Sequence, residues 1–222
     1  MKILMITPYV TITSRPEFSR NKTGFGYMVY DIAKAVAKIE QVDVLCTDSR
    51  GEGFVQENIT FLARNIWVIL SNIYHCLPIS ILIRLKKKYR MSRGAFLRLT
   101  YYWLISGDVK KVVKKGNYDV VHVHGCGYSG TVWDAVCKEC GIKIVYTLHG
   151  LNSFSETVLM EPAGKMYERD FLQQTSDGLH HISVISTGMK KMIEKTYNKK
   201  CENIVVITNS FSFPNSQAGG VE

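Results

Sequence analysis

Short β-branched runs recur along the chain, and each is followed by a helix-length stretch whose apolar residues return at helical spacing. The runs at 2–7, 42–47, 59–63, 120–124, 143–148, 181–186 and 204–208 predict strands. Between about residues 26 and 39, Met28, Val29, Ile32, Ala33, Val36 and Ala37 share one face, with Asp31, Lys34 and Lys38 interspersed. That pattern predicts a helix packed on the sheet. Further helices are expected over 129–139 and 187–197, the latter led by the capping hydroxyls of Ser186 and Thr187. Strands alternating with helices predict an α/β fold: a Rossmann-like parallel sheet of about seven strands with helices on both faces. Seven strands leave no room for a second domain, so residues 1–210 read as one unit. Residues 211–222 are polar, Gly-rich and aperiodic, and read as a linker or tail.

Composition supports a folded core. Of 222 residues 46% are apolar and 21% charged, which argues against disorder, and six cysteines are too few for a disulfide scaffold. They read as reduced thiols. The first ten residues carry one Lys and a short apolar run interrupted at Pro8, with no small-residue cleavage site. This reads as a first strand, and the expected location is the cytoplasm.

In open parallel sheets ligands sit beyond the carboxyl ends of the strands, so the residues just after each strand are the candidates. After the first strand, Thr23-Gly-Phe-Gly26 opens a helix, where Gly24 and Gly26 either free backbone N–H groups for an anion or simply permit a tight turn. A nicotinamide fingerprint would place its glycines where Pro8-Tyr-Val10 stands, which argues against a dehydrogenase. The fourth strand ends His122-Val-His124-Gly125 and the fifth is followed by His149-Gly150. Alternation sends His122 and His124 to one side, and His124 reaches the tip. Two strand-tip histidines, each followed by Gly on neighbouring strands, point to a ligand-facing role, more for His149 than for His124. Cys137 and Cys140 have the C-x-x-C spacing, but no second pair accompanies them and they close a helix, so no metal site is expected. There is no G-x-S-x-G elbow and no Walker lysine after the glycines.

The whole pattern resembles the amino-terminal, acceptor-side domain of a GT-B fold glycosyltransferase of the retaining family 4. The matching parts are KILMIT at 2–7, TGFGYMVYDIAKAVA at 23–37, DVVHVHG at 119–125, KIVYTLHG at 143–150, YER at 167–169, SD at 176–177, ISVIST at 182–187 and NIVVITNS at 203–210. The resemblance implies the acceptor-binding half of a sugar-nucleotide-dependent, hexosyltransferase-type enzyme of cell-surface glycan or glycolipid biosynthesis. It implies that the loop with Gly24 and Gly26 lies under the donor diphosphate and that His149 acts catalytically by orienting the transferred sugar or the acceptor hydroxyl. The remaining substrate-binding candidates are His124, Gly125, Gly150 and Ser186. Phosphate of the leaving group would take the acceptor proton. No cofactor is implied; the nucleotide-diphosphate sugar enters as a substrate. The nucleotide site would belong to a carboxyl-terminal Rossmann domain with no counterpart here. The rival reading is a non-catalytic nucleotide- or lipid-binding Rossmann module.

Charge is concentrated in one place. Net charge is +9, yet residues 64–115 hold twelve Lys or Arg against Asp108 alone, so the remainder is slightly acidic. Residues 66–83 are uncharged over eighteen positions, about 27 Å as a helix, at the lower limit for a membrane span. Asn72, His75 and Pro78 interrupt them. A span inside a cytoplasmic sheet would put strands on opposite sides of a membrane. Two readings stay open: a core helix followed by a solvated basic helix, or a surface resting on anionic lipid through Lys86, Lys87, Lys88, Arg90 and Arg93. The second places the protein peripherally on the inner membrane face. No nucleic-acid-binding motif accompanies the charge.

Overall fold

The aliphatic run Lys2–Thr7 forms β1, buried from its second residue onward, near the middle of an eight-stranded sheet. The other strands are β2 (Gln41–Cys46), β3 (Phe54–Gln56), β4 (Ile59–Leu62), β5 (Val120–His124), β6 (Lys143–Leu148), β7 (His181–Val184) and β8 (Ile204–Val206). Their spatial order is β3-β4-β2-β1-β5-β6-β7-β8. This computed structural model describes residues 1–16, 18, 23–48, 52–62, 64, 66–155 and 160–208. The tail expected at 211–222 and position 63 of the third expected strand lie outside them.

Seven of these strands are the expected ones, with small shifts at their ends, and their neighbours pair in parallel. The eighth, β3, runs antiparallel to β4 across Glu57 and Asn58, whose φ angles of 51° and 63° match the two-residue hairpin turn that suits sheet twist. Three residues are too few for alternation to reveal.

Helices α1 (Gly24–Ala37), α5 (Tyr128–Cys140) and α7 (Thr187–Tyr197) appear where periodicity placed them. Helices α2 (Ile66–Ser71), α3 (Ile79–Lys88), α4 (Arg93–Gly116) and α6 (Pro162–Ser176) complete the fold, with 3₁₀ turns at Ile73–His75 and Asn152–Phe154. Alternation along β1 divides the core. Ile3 and Met5 pack with Val29 and Ala33 of α1, whereas Leu4 and Ile6 pack with Leu99, Ile105 and Val109 of α4 and Val132 and Trp133 of α5.

The uncharged stretch is not a core helix. Asn72 and Pro78 divide it into α2, a 3₁₀ turn and the start of α3, and within it only Ile69, Asn72, Leu77 and Leu82 are buried. The turn presses on α4 at Gly107, where a Cβ would lie 2.2 Å from the Asn72 carbonyl oxygen. Beside it, the one acid of the basic segment, Asp108, is buried in an ion pair with Arg64 and accepts from Asn72 Nδ2 at 3.4 Å. Among the described residues no helix is long and apolar enough to cross a membrane.

Candidate functional site

The chain leaves β1 toward β2 on one side and returns to β5 on the other, so the β1/β5 boundary is where the strand order reverses. Loops diverge there and open a crevice at the carboxyl ends of the strands. A cleft of about 460 Å³ occupies this position. Its walls are the end of β1 (Ile6 to Tyr9), Thr47 after β2, His124 to Gly127 after β5, and His149 and Gly150 after β6. Phe25 of α1, Tyr102 of α4, Trp133 of α5 and Glu168 of α6 close it.

Two histidines meet in this cleft. Register aligns His124 with Thr147, so His149, two residues on and just past the end of β6, comes beside the tip of β5. His124 Nδ1 and His149 Nε2 share a hydrogen bond of 3.1 Å, and their rings stack at 5.4 Å between centroids. Phe25 meets the His149 ring edge-on at 5.0 Å. His122 lies 4.3 Å from the His124 ring, and its Nε2 bonds Thr147 Oγ1 at 2.7 Å, which in turn meets Ser183 Oγ at 2.6 Å. Burial disfavours the imidazolium, lowering His122 and His149 to about 4 and His124 well below its usual value, the neighbouring histidines adding to the effect on His124. All three are neutral at ordinary pH.

Neutrality fixes what the pair can offer. One nitrogen of the shared bond donates and the other accepts, so of the two outer nitrogens, His124 Nε2 and His149 Nδ1, one carries a proton and the other a lone pair. Both outer atoms are buried with no partner among the described residues. In either tautomer the pair leaves one buried donor and one buried acceptor unpartnered among the described residues.

The glycine loop divides into two kinds of position. Thr23 caps α1: its hydroxyl accepts from the Gly26 N–H at 3.3 Å and meets Tyr9 Oη at 2.9 Å. Gly26 is required by packing, since a Cβ there would lie 2.2 Å from Thr11 Oγ1, whereas a Cβ at Gly24 would meet nothing within 4 Å. The first-turn N–H groups of Gly24 and Phe25 have no partner within a helix, which leaves them to whatever approaches the opening of the cleft.

Gly125 sits at φ +91° with its N–H on the Thr147 carbonyl at 2.8 Å, and Gly150 lines the cleft next to His149. Ser186 caps α7, accepting from the Met189 N–H at 3.2 Å, and is not among the residues lining the cleft. Lys86, Lys87 and Lys88 form the last turn of α3, Arg90 follows, and Arg93 opens α4. Lys88 pairs with Asp170 at 2.6 Å and Lys86 lies over the Phe96 ring at 4.5 Å, so this cluster is divided between internal contacts and solvent.

Sequence reasoning missed Glu168 as a wall of the site. It is 1% exposed, and its Oε1 accepts from Ser153 N at 2.7 Å and Ser153 Oγ at 2.6 Å. This pins the 3₁₀ turn that follows His149 and Gly150. A signal existed: Glu168 falls at a core position of the helical period Gly164, Tyr167, Phe171, Leu172 and Thr175, where a charge needs a built-in partner.

The profile of the family described as Glycosyltransferase Family 4 matches residues 23–212. No curated protein sequence matches the chain. Among solved structures, sucrose-phosphate synthase from Thermosynechococcus elongatus superposes over 93% of this chain and 47% of its own, at 13% identity and a TM-score of 0.58. Arabidopsis thaliana UGT89C1, solved with UDP, superposes over 99% of this chain and 51% of its own, at 11% identity and a TM-score of 0.53. The chain thus spans about half the length of the structures it resembles.

Proposed function

Since the chain belongs to glycosyltransferase family 4, we propose that it supplies the acceptor-side half of a retaining, sugar-nucleotide-dependent hexosyltransferase working on a cell-surface glycan or glycolipid precursor. The observation that carries this reading is the neutral His124–His149 pair at the strand-order reversal, facing the open first turn of α1. The outer imidazole nitrogens are buried and unpartnered among the described residues, and a sugar hydroxyl that enters the cleft as far as either one would satisfy it. The diphosphate of a donor held by a second domain would approach the N–H groups at Gly24, where a Cβ would meet nothing within 4 Å among the described residues. With an imidazole that is neutral far below pH 7, His149 orients by hydrogen bonding, and leaving-group phosphate takes the acceptor proton. No cofactor enters the proposal; the nucleotide sugar is the substrate. That UGT89C1 was solved with UDP fits a nucleotide donor in kind.

The test is His149→Ala in the whole protein that carries this chain, with transfer and nucleotide binding measured separately. Turnover should fall far more than nucleotide affinity, because a group beside the reacting sugar contributes mainly in the transition state. Equal, small losses in both would return His149 to a packing role.

A further inference from the structure

Between β4 and α4 seven large apolar side chains are exposed. Tyr74 is 95% exposed, Trp67 77%, Ile79 60%, Ile66 58%, Ile83 48%, Leu70 47% and Ile73 38%. Ile66 and Leu70, and again Ile79 and Ile83, are one helical turn apart, so each helix turns a continuous stripe outward. Large apolar patches on soluble proteins mark contact surfaces. The stripe on α3 continues from Ile79 and Ile83 to Lys87, passing from aliphatic to cationic along one face. Arg84, Lys87, Arg90 and Arg93 flank it with no ion pair among the described residues; the only acid of segment 64–115 is buried against Arg64, while Asp170 reaches Lys88 and Glu161 reaches Ser92 at its border.

We propose that this crest docks on an anionic phospholipid bilayer, with Trp67, Tyr74 and the neighbouring aliphatic side chains seated among the headgroups and the cations on the lipid phosphates. Two properties select lipid over a protein partner. An uncharged tip backed by a cationic flank matches the order in which a bilayer presents hydrocarbon boundary and then phosphate, and Trp and Tyr prefer that boundary. A second copy would bring the same cations together across a twofold axis, which like charge disfavours. The membrane surface therefore extends beyond the lysine run to an apolar tip, and Lys88, paired with Asp170, contributes least.

Helix α4 links this surface to the cleft. It opens at Arg93 beside the cationic flank, Tyr101 Oη donates to the Thr47 carbonyl at 2.7 Å, and Tyr102 lines the cleft. On the transferase reading, and resting on it, an acceptor anchored in the same leaflet reaches the histidine pair along α4.

The experiment uses this chain with vesicles of phosphatidylcholine alone and of phosphatidylcholine with phosphatidylglycerol. Trp67 is the exposed one of three tryptophans, Trp133 being 2% exposed and Trp103 bonded to the Leu77 carbonyl, so emission reports on the crest. Anionic vesicles should co-sediment the chain and shift its emission to the blue, and Trp67→Phe should abolish the shift. Replacing Arg84, Lys87 and Arg93 together by Ser should weaken binding about a hundredfold, each cation near the surface contributing about a fivefold share. Trp67→Ser with Tyr74→Ser should also release the chain from anionic vesicles, and both variants alter exposed positions so that the fold survives. Indifference to lipid charge overturns the proposal. So does a concentration-dependent dimer that shields Trp67 without lipid. Vesicle binding in a protein that transfers no sugar leaves the surface standing and removes the transferase reading; transfer without vesicle binding does the reverse.

Discussion

The buried histidine array makes stability depend on acidity in a calculable way, and His122 isolates one member of it. Its Nε2 bonds Thr147 Oγ1 at 2.7 Å, and burial lowers its pKa from 6.5 to about 4. Between these values the unfolded chain binds a proton that the folded chain refuses. Stability present above pH 6.5 is therefore lost as pH falls toward 4. At about pH 4.5 the full shift corresponds to about 2.5 kcal/mol, and the partial exposure of the ring reduces this to about 1–2 kcal/mol. His122→Gln places an amide nitrogen where Nε2 stood, keeps a partner for Thr147 and removes the titration. Urea midpoints measured at about pH 7.5 and pH 4.5 give the comparison, with a slope of about 1–3 kcal/mol per molar converting midpoint to free energy. The wild type should lose at least about 1–2 kcal/mol more than the variant on acidification, because His124 and His149 titrate in both proteins and in the variant are freed of the His122 charge that lowers them. Equal losses in the two proteins would refute the reasoning, because they would mean that His122 accepts its proton in the folded state without penalty.

The glycines of the α1 loop should separate cleanly by thermal melting. Gly26→Ala drives a methyl into Thr11 and should cost about 1–3 kcal/mol, whereas Gly24→Ala enters open space and should change stability by less than about 1 kcal/mol. Glu168→Ala orphans two donors on Ser153 and should destabilise by about 2–4 kcal/mol in urea melts, while Glu168→Gln, which still presents a carbonyl oxygen, should cost clearly less. Calorimetry of the 222-residue chain with uridine, guanosine and adenosine diphosphate sugars should show binding weaker than micromolar, since one glycine loop supplies only a few N–H contacts.

The strands of the sheet were legible because six of the eight are runs of four or more residues that pack on both faces, leaving a dense aliphatic signal. The approach of His124 to His149 was legible only as two strand-tip histidines. Their hydrogen bond depends on the register that sets His124 opposite Thr147, and register is fixed by packing of the whole sheet. Helix α6 escaped notice because its inward face includes Gly164, Glu168, Thr175 and Ser176, which blunt the helical period. The uncharged stretch shows a different limit. Apolar character at 66–83 suggested burial, but hydrophobicity records a side chain's preference and says nothing of what covers it. With Asn72 and Pro78 breaking the helix, most of those residues face outward. Gly26, read as a possible phosphate contact, owes its identity to the close approach of Thr11, a tertiary contact with a residue on the other side of the loop.

Both margins of the sheet are three-residue strands, β3 on one side and β8 on the other, although β1 and β2 within it each run to six. Among the described residues the sheet therefore ends in two very short ladders, one of which, β3, is further turned by its tight hairpin. A foreign strand seeking to extend the sheet could form only a few hydrogen bonds at either end before running out of template, too few to offset the cost of ordering itself. The long aliphatic strands at the centre of the sheet are in this way held where no other molecule can pair with them, and the apolar crest at 66–83 is carried mainly on helices, which offer side chains but little free backbone for aggregation to copy.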